Sequence, residues 1–218
     1  MYLLIRFLAC LCLSLSLISV SFVASSATVF VVDQNGEAVS GAVVAFVAPL
    51  EHVPDTQTVA IMDQVNRQFL PQVLIINKGQ KVRFPNSDDI RHHVYSFSEV
   101  KPFEIKLYKG SDQEPIIFDK SGISILGCNI HDNMVGHIYI AEDEIALITD
   151  LAGSVEIIGQ KPKQISIWHP KMSIGSTSKK QYSVTFNNDA ARIEISLLAS
   201  DRKRKKRTFG SRNQGGRN

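Results

Sequence analysis

Short apolar, β-branched runs recur along most of this chain, and Gly, Pro, Asn or Asp ends each one within a few positions. Runs of that length with such punctuation read as strands joined by tight turns. Thr28 to Val32 is followed by Asp33-Gln34-Asn35-Gly36, and Ala42 to Val47 comes next. Val73 to Ile76 and Lys81 to Phe84 flank Asn77-Lys78-Gly79-Gln80, which predicts a hairpin. Further strands are expected at Val94 to Phe97, Phe103 to Leu107, Ile116 to Phe118, Ile123 to Leu126 and His137 to Ile140, with a turn at Asp119 to Gly122. From 146 to 198 the clearest runs are Ile165 to Trp168, Tyr182 to Phe186 and Ile193 to Leu198. No amphipathic helix is evident; at most one helical turn is expected near Met62 to Arg67. The fold class is therefore all-β, a sandwich or barrel.

The two ends of the chain read differently. Arg6 precedes the apolar run Phe7 to Val23, and the small residues Ala24 to Ala27 follow it. That pattern predicts an export signal over 1–27, cut near Ala27, and a periplasmic or otherwise exported protein. Cys10 and Cys12 leave with the signal, so Cys128 is the one thiol of the mature chain. Outside the cytoplasm it is an inert core thiol, half of an intermolecular bridge, or a metal ligand. Residues 201–218 carry eight Lys or Arg against Asp201 and read as a disordered basic tail. Taking its +7 and the +1 of the leader from the whole chain's +3 leaves −5 on residues 28–200. An acidic body argues against nucleic-acid binding. The tail serves solubility, or attraction to an anionic membrane surface or an acidic partner.

Cys128 opens the run Cys128-Asn129-Ile130-His131-Asp132-Asn133-Met134, in which thiolate, imidazole and thioether recur at three-residue steps. A thiolate beside an imidazole suits copper or zinc, and a weaker thioether points to copper. The same string also describes a buried thiol near an unrelated histidine. A second segment, Asn86 to Val94, supplies His92 and His93 at a loop-to-strand junction. Two such loops at one pole of a sandwich would assemble a trigonal site with a distant Met.

Together these segments resemble the cupredoxin family, nearest to its amicyanin and pseudoazurin branch. The ligand loop C-x-x-H-x-x-M is matched from Cys128 to Met134 and is followed by Val135-Gly136-His137-Ile138. The upstream motif, an Asn six residues before a His and a Val two after it, is matched by Asn86, His92 and Val94. The chain also resembles exported cupredoxin-type methylamine-utilisation proteins, which carry a segment similar to His92-His93-Val94-Tyr95-Ser96-Phe97-Ser98.

The resemblance implies a Greek-key sandwich over 57–142 with one copper ion per chain. His92, Cys128 and His131 would be the equatorial ligands and Met134 the axial one. Asn86 would steady the ligand loops and place a hydrogen-bond donor near the thiolate. His93 stands where the family commonly has Asn, and neighbouring strand residues face opposite ways, so one of the two histidines reaches the metal. The Asn86 and Val94 spacing selects His92. His131 would be the exposed ligand, within an apolar collar of Ile130, Val135 and Phe97. Asp88, Asp89 and Asp132 would form an acidic rim that steers a basic redox partner, such as a c-type cytochrome or a dehydrogenase.

The flanks, 28–50 and 143–200, contain turns similar to those of carboxypeptidase regulatory-like sandwiches: Val32 to Gly36, Gly41 to Val44 and Thr149 to Val155. They predict an additional small β-sandwich region, either one domain split by an inserted cupredoxin or strands added to separate modules. Three function classes follow: a blue-copper electron carrier, a copper-binding or delivery protein, and an enzyme with Cys128 as nucleophile and His131 as base. No residues for an oxyanion site are evident, so an enzyme is not expected. Absence of C-x-x-C-H excludes a c-type haem, and the lone thiol excludes a Cys-rich zinc site.

Overall fold

The structure is a computed structural model and describes residues 26–198 apart from positions 48, 50, 51 and 176. The expected leader, with Cys10 and Cys12, and the basic tail at 201–218 lie outside the described residues. The protein is all-β. Its strands are β1 (Ser26–Val32), β2 (Val43–Val47), β3 (Ala60–Ile61), β4 (Asp63–Val65), β5 (Gln68–Leu70) and β6 (Val73–Asn77). There follow β7 (Lys81–Arg83), β8 (His92–Ser96), β9 (Phe103–Tyr108), β10 (Ile116–Ile117), β11 (Gly122–Gly127) and β12 (Val135–Ala141). The last are β13 (Glu144–Ile148), β14 (Ser154–Ile158), β15 (Gln164–Trp168), β16 (Lys180–Ser183) and β17 (Ala190–Glu194). Among the described residues no helix is long and apolar enough to cross a membrane.

Four sheets stack in layers, in the order β14-β1-β17, β13-β2-β15-β16, β6-β12-β11-β8-β9 and β10-β7-β3. β1 pairs antiparallel with β14 and parallel with β17, while β2 lies between β13 and β15. The segment before residue 50 thus shares both its sheets with strands after residue 143. Side-chain parity explains how the layers bind, because successive residues point to opposite faces. In β2, Val44 and Phe46 join the core with Val29 and Val31, while Val43 and Ala45 join Trp168, Tyr139 and Ile123 on the other face. In β12, Tyr139 and Ala141 share that middle core, while Ile138 and Ile140 face Phe69, Val82 and Phe84. Strands buried on both faces read as continuous apolar runs.

Three local expectations are corrected. Asn77 to Gln80 does not close a hairpin: β6 pairs with β12, whereas β7 pairs with β10 and β3. The turn is a corner between two sheets, held by Gly79 N–H donating to Phe118 O and by the Gln80 side chain donating to Thr58 O. The chain near Met62 to Arg67 is no helical turn but a hairpin of β4 and β5. Its tip residues Asn66 (φ 52°) and Arg67 (φ 60°) are both left-handed, the pattern of a two-residue hairpin loop. The run expected from Ile193 to Leu198 overlaps a strand that ends at Glu194, although Ile195 still donates its N–H to Val32 O. At the other end β1 begins at Ser26, ahead of the expected cut, and Ala27 is buried opposite Ile157.

Candidate metal centre

β11 and β12 form an antiparallel pair whose last register position is Gly127 opposite Val135. The loop between them is therefore Cys128 to Met134, with Met134 N–H donating to His131 O to close its turn. β8 runs beside β11 with Tyr95 opposite Gly127, which carries His92, three residues earlier, past the end of β11 to the level of that loop. Each strand bordering the loop carries a glycine. A Cβ on Gly127 would stand 2.7 Å from the Tyr95 ring, and one on Gly136 would stand 2.8 Å from Cβ of the fully buried Phe69.

His92, Cys128 and His131 converge, each offering a donor atom within 4.8 Å of the others. Cys128 Sγ is 3.9 Å from His92 Nδ1 and 3.8 Å from His131 Nδ1. The imidazole centroids are 5.0 Å apart with planes at 60°. His92 and Cys128 are buried, and His131 is partly exposed. Met134 is buried in the same core cluster as Cys128. Ile130 and Val135 are exposed apolar residues in and next to the loop; Phe97 is exposed too, but it lies beyond Tyr95 on the β8 side, alongside Ile125 and Val135.

His93 takes the other side of the sheet. Its Nε2 pairs with Glu104 at 2.9 Å, and its ring lies 5.6 Å from that of Tyr95. It is buried. Asn86 steadies the loop as the motif implies, but its donors are spent elsewhere: Nδ2 donates to Ile90 O and Tyr108 O, and its main chain exchanges hydrogen bonds with Gly110. Among the described residues, no Asn86 donor is bonded to Cys128 Sγ.

Asp88 is the second departure. Its side chain is 12% exposed, and Oδ2 stands 2.6 Å from His92 Nε2. The carboxylate also accepts the N–H of Asn66 at 2.6 Å and of Arg67 at 2.9 Å. It faces inward, so Asp88 does not belong to an acidic rim, whereas Asp89 and Asp132 are exposed. Burial acts to raise the Asp88 carboxyl, but the hydrogen bonds from Arg67, His92 and Asn66 hold it below its ordinary range. The sequence signalled this contact only as an acid four residues before a histidine; the hairpin that supplies two more donors was read as a helical turn. Tyr108, beneath the site, receives the Gln64 amide and donates to Phe84 O, and burial pushes its phenol up to about 12.

The remaining histidines do not join the cluster. His137 lies 5.3 Å from the Trp168 ring, and His169 accepts the Lys171 N–H at Nδ1. The donor set suits a transition metal of the copper or zinc type. Bonds of roughly 2.0 Å to nitrogen and 2.3 Å to sulfur in a trigonal arrangement separate the two atoms by about 3.8 Å. The observed 3.8 and 3.9 Å match that spacing, so the residues fit the ion.

No family model and no curated protein matches the chain. Solved structures are similar to it over about two fifths of its length. A copper-containing nitrite reductase from Thermus scotoductus SA-01 is 24% identical with a TM-score of 0.37, covering 44% of this chain and 25% of that one. This protein thus spans a quarter of that enzyme's length. A purple cupredoxin from Nitrosopumilus maritimus is 20% identical with a TM-score of 0.35, covering 38% of this chain and 99% of that one. A variant of amicyanin, in a reduced Cu(I) form at pH 4, is 16% identical with a TM-score of 0.36, covering 44% and 98% respectively.

Proposed function

We propose that this protein is a cupredoxin-type electron carrier of the periplasm, in which His92, Cys128, His131 and Met134 would hold one copper ion. The observation that carries the reading is the convergence of both Nδ1 atoms on Cys128 Sγ at metal-bridging distance. When bound, copper supplies a one-electron couple at an unchanged site. The protein's own part is rigidity: Cys128 directly follows β11, His92 opens β8, and the Cys128 to Met134 loop is closed by the Met134 N–H donating to His131 O. Burial of Cys128 and His92 excludes water from the thiolate side. His131 has the exposed edge, and Ile130 (49% exposed), Val135 (42%) and Phe97 (84%) provide apolar surface for brief docking of a redox protein such as a c-type cytochrome or dehydrogenase. The basic tail adds attraction to anionic membrane surfaces.

Adding Cu(II) to the purified protein while recording its visible spectrum and reduction potential tests the reading. An intense thiolate-to-copper band with reversible one-electron cycling is expected. Tight Cu(I) binding without that band would indicate a copper-binding or delivery protein instead. Thiol-dependent hydrolysis without copper binding would indicate an enzyme.

A further inference from the structure

We propose that Asp88 is a positioning residue of this centre, fixing the His92 ring through Nε2 so that Nδ1 faces Cys128, and favouring the oxidised over the reduced metal ion. The inference rests on the copper reading above and extends it to a residue outside the ligand set.

A neutral imidazole has one N–H and one lone pair, and an ionised carboxylate can only accept. With Asp88 Oδ2 2.6 Å from Nε2, the proton of His92 belongs on Nε2 and the lone pair on Nδ1, the atom turned to Cys128 Sγ. His92 is fully buried, so no bulk water competes for either nitrogen. The ring is thus set in the tautomer that a metal requires before any metal arrives.

Asp88 is itself held in place. Asn66 N–H donates to Oδ1, Arg67 N–H donates to Oδ2, and the Asp88 N–H donates to Asn86 Oδ1 at 3.1 Å. The two main-chain donors are adjacent because both tip residues of the β4–β5 hairpin are left-handed. The base of that hairpin is fixed in turn: Phe69 of β5 packs against Gly136, the second residue of β12. The hairpin therefore joins the two ligand segments, touching the His92 side through Asp88 and the Met134 side through Phe69.

A carboxylate bonded to a ligand ring places negative charge behind the metal. In a partly buried setting that charge is poorly screened and stabilises the more positive ion. His93 and Glu104 supply an internal comparison, since they form a similar contact on the other face, with Glu104 57% exposed and away from the cluster.

The test compares the unaltered protein with Asp88→Asn and Glu104→Gln. The readouts are Cu(II) and Cu(I) affinities, the reduction potential, and the His92 tautomer of the copper-free protein from its ring nitrogen resonances at pH 8. Asp88→Asn is expected to weaken Cu(II) binding about ten- to hundredfold, with a smaller change for Cu(I), so that the potential rises. Glu104→Gln is expected to leave both affinities within about twofold, as an exposed contact should. An unchanged potential in folded Asp88→Asn overturns the inference, as does an Nδ1–H tautomer in the unaltered protein, which needs no variant to fold. If the unaltered protein binds no copper, the copper reading fails and the ion preference with it, while the tautomer still decides whether Asp88 orients His92.

Discussion

His92 and His131 present the same ring atom, Nδ1, to one sulfur from two sides, at 3.9 and 3.8 Å from Cys128 Sγ, although 39 positions separate them in the sequence. One ring is buried and tied to a carboxylate, whereas the other is partly open to solvent. That asymmetry gives the cluster a fixed interior imidazole and an accessible exterior one.

Replacing the two adjacent histidines separately should give opposite results. His92→Gln removes a donor from the cluster and is expected to weaken Cu(II) binding by at least tenfold and to abolish the thiolate band. His93→Gln acts on the far face, against Glu104, and should retain the band. Spectral titration with Cu(II) checks both; loss of the band in His93→Gln alone would reverse the assignment.

Gly136→Ala should destabilise the fold by about 1–3 kcal/mol, because the new methyl meets the Phe69 Cβ at 2.8 Å in a packed interior. Urea unfolding measures the loss. The same variant should disturb the metal spectrum, since Gly136 lies two residues after Met134. A midpoint equal to that of the unaltered protein would show that the Phe69 backbone yields more readily than close packing allows.

Thr149 is buried and stitches two distant segments: its Oγ1 accepts the Ala42 N–H at 2.9 Å and donates to Val39 O at 2.6 Å. Thr149→Val keeps the shape but leaves both main-chain groups without this partner. A loss of about 1–3 kcal/mol is expected in chemical unfolding. Copper binding should persist, because the bonds of Thr149 go to the Val39 to Ala42 segment and to none of His92, Cys128, His131 and Met134.

Acid should destabilise the protein through His169. Burial, with the Lys171 charge and the neighbouring His137, pulls its ring down to about 4 from an ordinary 6.5, against the opposing effect of a hydrogen bond with the Ser40 main chain. The unfolded chain binds this proton near pH 6.5, while the folded chain does not until about pH 4. Between those values the unfolded state holds more protons, so stability is fully present above 6.5 and falls as pH drops. Unfolding midpoints measured across this window should decline, and His169→Gln should flatten the slope. Parallel curves for the two proteins would exclude His169 as the cause.

Much of the strand framework was legible because its cause is local. Apolar and β-branched runs bounded by turn-forming residues mark β6, β8, β11 and β12 within a residue or two. What a run pairs with is not local. Asn77 to Gln80 carries every mark of a hairpin turn, yet β6 and β7 belong to facing sheets because Ile76 and Val82 both fill one core. Asn66 and Arg67 carried no helix-excluding residue between them, and their left-handed geometry is imposed by the pairing of β4 with β5.

By itself the sequence determined an all-β chain and the chemistry available to it: one thiol beyond residue 27, histidines ahead of a β-branched strand, and a Met three residues after His131. Donor type and loop length are properties of covalent order, so they can be read before folding. The tertiary structure decided which atoms meet. It turned His92 inward and His93 to the opposite face, spent the Asn86 amide on carbonyls, and drew Asp88 from an expected surface rim to the back of the His92 ring. Those outcomes depend on the register of β8 against β11 and on the β4–β5 hairpin closing over Asp88, contacts between residues that no local pattern links.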